Sequence, residues 1–202
     1  GVDIGGTKIR FAAVDREGRI AWGHRVPSEA HLGAKHVMDA VRKGIEDTLG
    51  RLPEEASAVG IGVGSAGQIR FETGTVEFAG SQLPGWTGTP IVRTLKERFG
   101  LPAYADNDVN AVALAERMYG AGRGLDSFVV VALGTGIGGA IVEAGRLVRG
   151  ARGCAGELGH VSVDFNGPRC ENCGNNGCVE LYASGSGIAR LGREALAAAG
   201  GS

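Results

Sequence analysis

Two stretches of this chain, DIGGTKIRFAAVD (3–15) and LGTGIGGAIVEAG (133–145), share one layout. Each reads as a strand, a Gly-rich turn carrying a threonine, a second strand and another turn. A chain that builds the same hairpin twice is constrained to two related halves. The polar, Gly-rich AGRGLDS (121–127) divides them, giving an N-terminal lobe over 1–121 and a C-terminal lobe over 122–202. A Gly-Gly hairpin by itself is usually only a turn. Around the first one, however, Asp3 stands where a carboxylate can hold a hydrated Mg²⁺, and Thr7 and Lys8 offer a hydroxyl and a cation. Backbone N–H groups at Gly5 and Gly6 can cradle phosphate oxygens. The second hairpin, through Gly134, Thr135, Gly136 and Gly138, offers the same groups. Neither is a Walker A loop, and GTGIGG is no dinucleotide fingerprint, because a β-like AIVEAG follows it instead of a helix. Glycine takes 37 of the 202 positions, against an ordinary share of about 7%. It has no three-residue period, which excludes collagen, and it crowds into doublets where backbone must approach something closely.

The second constraint lies at 160–180, GHVSVDFNGPRCENCGNNGCVE read from Gly159. Cys170 and Cys173 make a C-x-x-C step, Cys178 follows after glycines, and His160 lies upstream across a short apolar strand. Three thiolates and one imidazole satisfy a tetrahedral zinc ion, and Gly174 and Gly177 let the backbone fold around it. A disulfide with a spare thiol fits an odd triplet poorly, and Glu171, Asn172 and Asn175 do not make a core. A closed site of this kind has no open coordination position, so its zinc is structural. It fixes His160 and brings Glu157 and Glu180 towards one place. Glu, His and Glu held rigidly suit the hydrogen bonding of several hydroxyls, which points to a sugar. Cys154 reads as a packed thiol outside this set.

The remaining elements read as an α/β chain. RIAWGHRVPS completes a three-stranded meander, with His24 and His31 taken as surface residues. Residues 33–50 have helical period, with Val37, Met38, Val41, Ile45 and Leu49 on one face. AVGIGVGSAG (58–67) reads as a buried strand of a mixed sheet, and a short helix spans 89–99 with Ile91, Leu95 and Phe99 inward. AYA then runs into Asp106-Asn107-Asp108 and a helix whose apolar face is Val112, Leu114, Ala115 and Met118. Asp or Asn before a helix is ordinarily a cap, but one cap needs one such residue, and three stand in succession here.

A net charge of −1 provides no basic field for nucleic acid. The longest apolar run, FVVVAL (128–133), falls far short of the roughly 18 residues that span a bilayer. Reduced, metal-binding cysteines argue for the cytoplasm.

AGELGH (155–160), CGNNGCVE (173–180) and NDVNAVALAE (107–116) together resemble the ROK family of repressors, open reading frames and sugar kinases, and DIGGTK resembles the first phosphate loop of the actin, sugar-kinase and Hsp70 superfamily. The resemblance implies a duplicated actin-like (ribonuclease H-like) ATPase fold, two lobes with mixed sheets, and ATP-dependent phosphorylation of a hexose, glucose first. It makes Asp108 the catalytic base and Asn107, Asp108, Glu157, His160 and Glu180 the sugar ligands. ATP and Mg²⁺ fall to Asp3, Gly5, Gly6, Thr7, Lys8, Gly134, Thr135, Gly136 and Gly138. Structural zinc falls to His160, Cys170, Cys173 and Cys178, and Asp106 is left as the cap. Homo-oligomers, dimers or tetramers, are in keeping with the resemblance. Three positions depart from the family pattern: Ser81-Gln82 replaces Asn-Leu before the L-P-G-W of the sugar loop, Ala66 replaces a proline, and the family's C-x-C becomes C-x-x-C. The family's later adenosine-clasping segment has no counterpart in these residues. The second lobe is therefore expected to be incomplete, with FVVVAL exposed on at least one side. Two other readings share the same ligands: the effector domain of a sugar-sensing ROK repressor, and a zinc-stabilised sugar-binding module without catalysis.

Overall fold

A computed structural model describes residues 1–200. The first hairpin forms as read: β1 (Val2–Ile4) and β2 (Lys8–Val14) are antiparallel and β3 (Ile20–Pro27) continues the meander. β4 (Ile61–Ser65) and β7 (Ala103–Asn107) join β1 in parallel, giving a mixed five-stranded sheet ordered β3-β2-β1-β4-β7. The strand read over 58–67 is shorter because residues 58–60 pair with nothing regular. α1 (Ala34–Leu49) buries Val37, Met38, Val41 and Ile45 on this sheet, and α2 (Ile91–Phe99) adds Ile91, Val92 and Leu95. These side chains and Ile4, Ile9 and Phe11 form the main core. A small hairpin that the sequence reading did not mark, β5 (Gln68–Arg70) with β6 (Thr75–Phe78), leads into the turn closed by buried Trp86. The Trp86 indole N–H donates to Ser65 Oγ at 3.0 Å, tying that turn to the end of β4.

The second hairpin pairs β8 (Phe128–Leu133) with β9 (Ile137–Glu143), and β10 (Arg146–Val148) completes a three-stranded sheet. Its inward residues Ala140 and Val142 meet Ala113, with Val109, Phe128, Val130 and Leu147 around them. The other face of β8 is open: Val129, Val131 and Leu133 are 55%, 56% and 71% exposed. α4 (Glu180–Ala183) and α5 (Gly185–Ala198) follow.

α3 (Asp108–Tyr119) corrects the sequence reading. Val112 and Met118, taken as its inner face, are exposed, and Ala115 with them. The helix instead turns Asn110 and Ala113 inward. Glycines decide this: a Cβ at Gly64 of β4 would touch Ala111, and one at Gly138 of β9 would run into Val109. On the β9 side the helix can lie this close only because Gly138 has no side chain. His24 is also misread as a surface residue. It pairs with Phe11 across β2 and β3, stacks on that ring at 4.7 Å and 15°, and keeps both ring nitrogens buried without a partner. Cys154, expected to pack, is exposed in the Gly-rich loop after β10. Among the described residues no helix is long and apolar enough to cross a membrane.

Candidate functional site

β7 passes into α3 without a loop, which puts Asn107 and Asp108 at the strand end and the first helical turn. The cap is Asn107, not Asp106. Asn107 Oδ1 accepts the N–H groups of Val109 (2.9 Å) and Asn110 (3.2 Å), satisfying first-turn donors that a helix leaves free. Its Nδ2 donates to Gly67 O at 3.0 Å. Asp106 is buried and takes three bonds of 2.8 Å, from Asn107 N–H, Asn110 Nδ2 and Arg149 Nε. A buried carboxylate needs that many partners. Arg149 lies 3.7 Å above the Phe71 ring, so the pair ties β7 to both the β5–β6 hairpin and the loop after β10. Asp108 is half-buried, and its Oδ1 accepts the N–H of Val109 at 2.9 Å. Burial, and then the charge of Asp3, push its carboxyl above the usual carboxylate range, while the Val109 N–H works against them.

The residues of the metal motif come together. The ligand atoms of His160, Cys170, Cys173 and Cys178 all lie within 4.8 Å of one another. Cys173 and Cys178 sulfurs are 3.3 Å apart, and Cys170 Sγ is 3.7 Å from His160 Nδ1. Sulfurs bound to one zinc at about 2.3 Å stand roughly 3.8 Å apart, so the donor set fits zinc, and all four cysteines are free. Burial and the neighbouring sulfurs push the Cys178 thiol up to about 12, so a thiolate there needs a cation beside it. The additional residue of the C-x-x-C step is absorbed in a tight turn, in which Gly174 N–H donates to Cys170 O at 2.8 Å. His160 turns Nδ1 to the sulfurs and Nε2 towards Glu157 Oε2, 3.8 Å away. A metal on Nδ1 leaves the ring proton on Nε2, which makes that side a hydrogen-bond donor.

A cleft of about 540 Å³ lies beside this cluster. Its walls include Gly67, Gln68, Gln82, Asn107, Asp108, Glu157, His160 and Asn172. Burial, opposed by His160 and by a bond from Gln68, leaves the Glu157 carboxyl above its usual range. Four of the expected sugar-facing residues thus share one cavity. Glu180, the fifth, is not on its wall. Its Oε2 accepts the Ile137 N–H at 2.8 Å, and its Oε1 lies 3.5 Å from Asn172 Nδ2.

The first hairpin is closed by a Gly5 N–H bond to Lys8 O at 3.1 Å. Gly6 approaches Gln82 so closely that a Cβ would lie 2.8 Å from its carbonyl oxygen. Buried Ser28 holds the turn twice: its Oγ donates to Gly6 O at 2.6 Å and its N–H to Thr7 O at 3.1 Å. Asp3 is half-buried and 3.7 Å from Arg10, whereas Thr7 and Lys8 are exposed. In the second hairpin Gly134 and Thr135 are exposed, and Gly136 packs on the Glu180 carboxylate. Ser28, Gln68, Asp106, Arg149 and Asn172 were not picked out from sequence as site residues. Ser28 and Arg149 sit in no pattern that could have marked them.

The ROK family model matches residues 1–201. A glucokinase of Thermotoga maritima is 40% identical over 194 residues, 96% of this chain and 59% of that protein. The crystal structure of a ROK family glucokinase from Streptomyces griseus, in complex with glucose and AMPPNP, superposes with a TM-score of 0.84 at 37% identity, covering 98% of this chain and 61% of that one. A putative xylose repressor of Caldicellulosiruptor is 34% identical over 185 residues, 91% of this chain and 46% of that protein. The chain therefore spans less than two thirds of the length of each of these relatives.

Proposed function

The chain belongs to the ROK family, and from that premise we propose that it supplies the sugar site and both phosphate hairpins of an ATP-dependent hexose kinase, with glucose as the leading substrate. The observation that carries this reading is the cleft shared by Asn107, Asp108, Glu157 and His160. The glucokinase relatives support the substrate. Phosphoryl transfer asks for positioning and charge neutralisation more than for covalent help. Asp108 accepts the proton of the primary hydroxyl as that oxygen bonds to the γ-phosphorus and ADP leaves. A carboxylate raised towards working pH suits a general base. Asn107, Glu157 and the Nε2–H of His160 hold the other hydroxyls, and Glu180 approaches them through its Oε1. Gly5–Thr7 and Gly134–Gly136 hold the phosphates. Mg²⁺ near Asp3, when bound, neutralises charge on the triphosphate. Zinc on His160, Cys170, Cys173 and Cys178, when bound, supplies rigidity alone.

The putative xylose repressor supports a second reading, in which the same cleft senses a sugar without phosphorylating it. ADP release by the full-length gene product over a panel of hexoses separates the two. A kinase releases ADP with glucose, and Asp108→Asn lowers turnover by about 10²–10⁴ with sugar affinity kept within about tenfold. Sugar binding without ADP release would leave the sensing reading standing.

A further inference from the structure

Glu180 lies between two sites that are otherwise built by different parts of the chain. Its Oε1 lies beside Asn172, a wall residue of the sugar cleft, and its charge reaches Glu157. Its Oε2 accepts the N–H of Ile137 at 2.8 Å, at the foot of the second hairpin. Gly136 packs on the same oxygen so tightly that any side chain there would displace it. The next residues continue the contact: Gly185 N–H donates to Gly134 O at 2.8 Å and Ser186 N–H to Thr135 O at 3.3 Å. Upstream, Cys178 is a ligand of the metal cluster, and Val179 N–H donates to Val161 O at 2.9 Å. The segment 178–186 therefore runs without interruption from the metal cluster, past the sugar cleft, to the hairpin.

We propose that Glu180 is a positioning residue for the second phosphate hairpin, so that the zinc loop sets nucleotide affinity as well as sugar affinity. This rests on the kinase reading above. The hairpin has little else to hold it. Leu133, Gly134 and Thr135 are exposed, and beyond the turn's own Gly134 N–H bond to Gly136 O at 2.9 Å its bonds come from the start of α5, which follows Glu180 directly through the Ser184 N–H bond to Glu180 O at 3.2 Å. A carboxylate accepting a backbone N–H makes a charge-assisted bond, about twice as strong as a neutral one. Sugar binding at Oε1 and hairpin placement at Oε2 act on one rigid group. Each ligand therefore tightens the other, and by linkage the factor is the same in both directions.

The test is AMPPNP affinity of the full-length gene product, measured by calorimetry with Mg²⁺ in the absence of sugar. Glu180→Gln and Gly136→Ala should each weaken AMPPNP about tenfold, whereas Glu157→Gln, which lines the sugar cleft and makes no hydrogen bond to the Gly134–Gly136 turn, should weaken glucose far more than AMPPNP. Zinc content and melting temperature equal to wild type show that each variant has folded. With glucose present, wild type should bind AMPPNP more tightly, and Glu180→Gln should lose most of that gain. Unchanged sugar-free AMPPNP affinity in Glu180→Gln would overturn the proposal and leave Glu180 a sugar ligand only. Failure of the wild-type protein to bind AMPPNP would overturn the kinase reading instead, so the two failures are distinct.

Discussion

The hairpin at Gly5–Thr7 and the hairpin at Gly134–Gly136 are built from the same pattern and stand on different supports. The first grows out of the five-stranded sheet, where Ile4, Ile9 and Phe11 are buried beneath it and Ser28 closes its turn. Burying one such apolar side chain contributes about 1.5–3 kcal/mol. The second grows out of a three-stranded sheet with Val129, Val131 and Leu133 open on one face. Its turn is held by its own Gly134 N–H bond to Gly136 O, by the Ile137 N–H donated to Glu180 and by the N–H groups of Gly185 and Ser186, each neutral bond worth about 0.5–1.5 kcal/mol net. The first hairpin therefore rests more on apolar burial, while the second, with only Ile137, Ala140 and Val142 buried beneath it, leans more on polar bonds delivered by the segment after the cysteine cluster. A shared layout does not bring a shared support.

Removing zinc is the strongest way to break this comparison. Chelation, or Cys173→Ala, should release the metal, free the His160 ring and weaken sugar binding about 10–100-fold. Amide exchange in the full-length gene product should rise at 134–139 and 160–186 and stay slow in β1, β2 and β4. Equal loss of protection at both hairpins would show that they share one support. Purified protein without zinc would remove the premise.

Ser28 offers the reverse experiment with a smaller effect. Ser28→Ala removes the bond to Gly6 O and leaves a carbonyl without its partner, a cost of about 1–3 kcal/mol. The KM for ATP should rise about tenfold with zinc content unchanged. An unaltered KM would mean that the buried apolar residues and the backbone bonds hold the first turn without the Ser28 hydroxyl.

Sequence made the metal cluster legible because its ligands are close along the chain and chemically unmistakable. Asn107 and Asp108 were legible for the same reason, as a local pattern at a strand-to-helix junction. What stayed hidden depends on tertiary packing. Asp106 looked like a cap because the sequence cannot show Arg149 arriving from 43 residues away. Ser28 is an ordinary serine after a proline until the first turn folds onto it. The periodicity of α3 marked Val112 and Met118 as inner residues, since periodicity ranks side chains by hydrophobicity and takes no account of glycines on the facing strands. His24 looked polar enough for the surface, yet its cross-strand partner is Phe11.

Asp108 stands where the two supports meet, on a helix packed against Gly64 of one sheet and Gly138 of the other. The effect expected there is the smallest, and its sign follows from linkage. Burial first, and Asp3 after it, raise the folded-state pKa of Asp108 above its unfolded value. The folded protein thus holds this proton where the unfolded chain has already lost it. Stability falls as pH rises from the ordinary carboxylate range up to the raised folded value, then stays level above it. Asp108→Asn has no proton to lose and escapes that decline. The variant should gain melting temperature relative to wild type as pH rises through this window, with the difference constant at higher pH. On the proposed kinase reading, kcat/KM of the full-length gene product should show the matching acid limb, falling as pH drops through the same raised value, because a protonated Asp108 could not take the hydroxyl proton. Thermal melts of both proteins across pH check the first half, and a kcat/KM profile checks the second. A melting difference that does not change with pH would mean that neither burial nor Asp3 penalises the Asp108 charge, and the base would then have to work from an ordinary carboxylate.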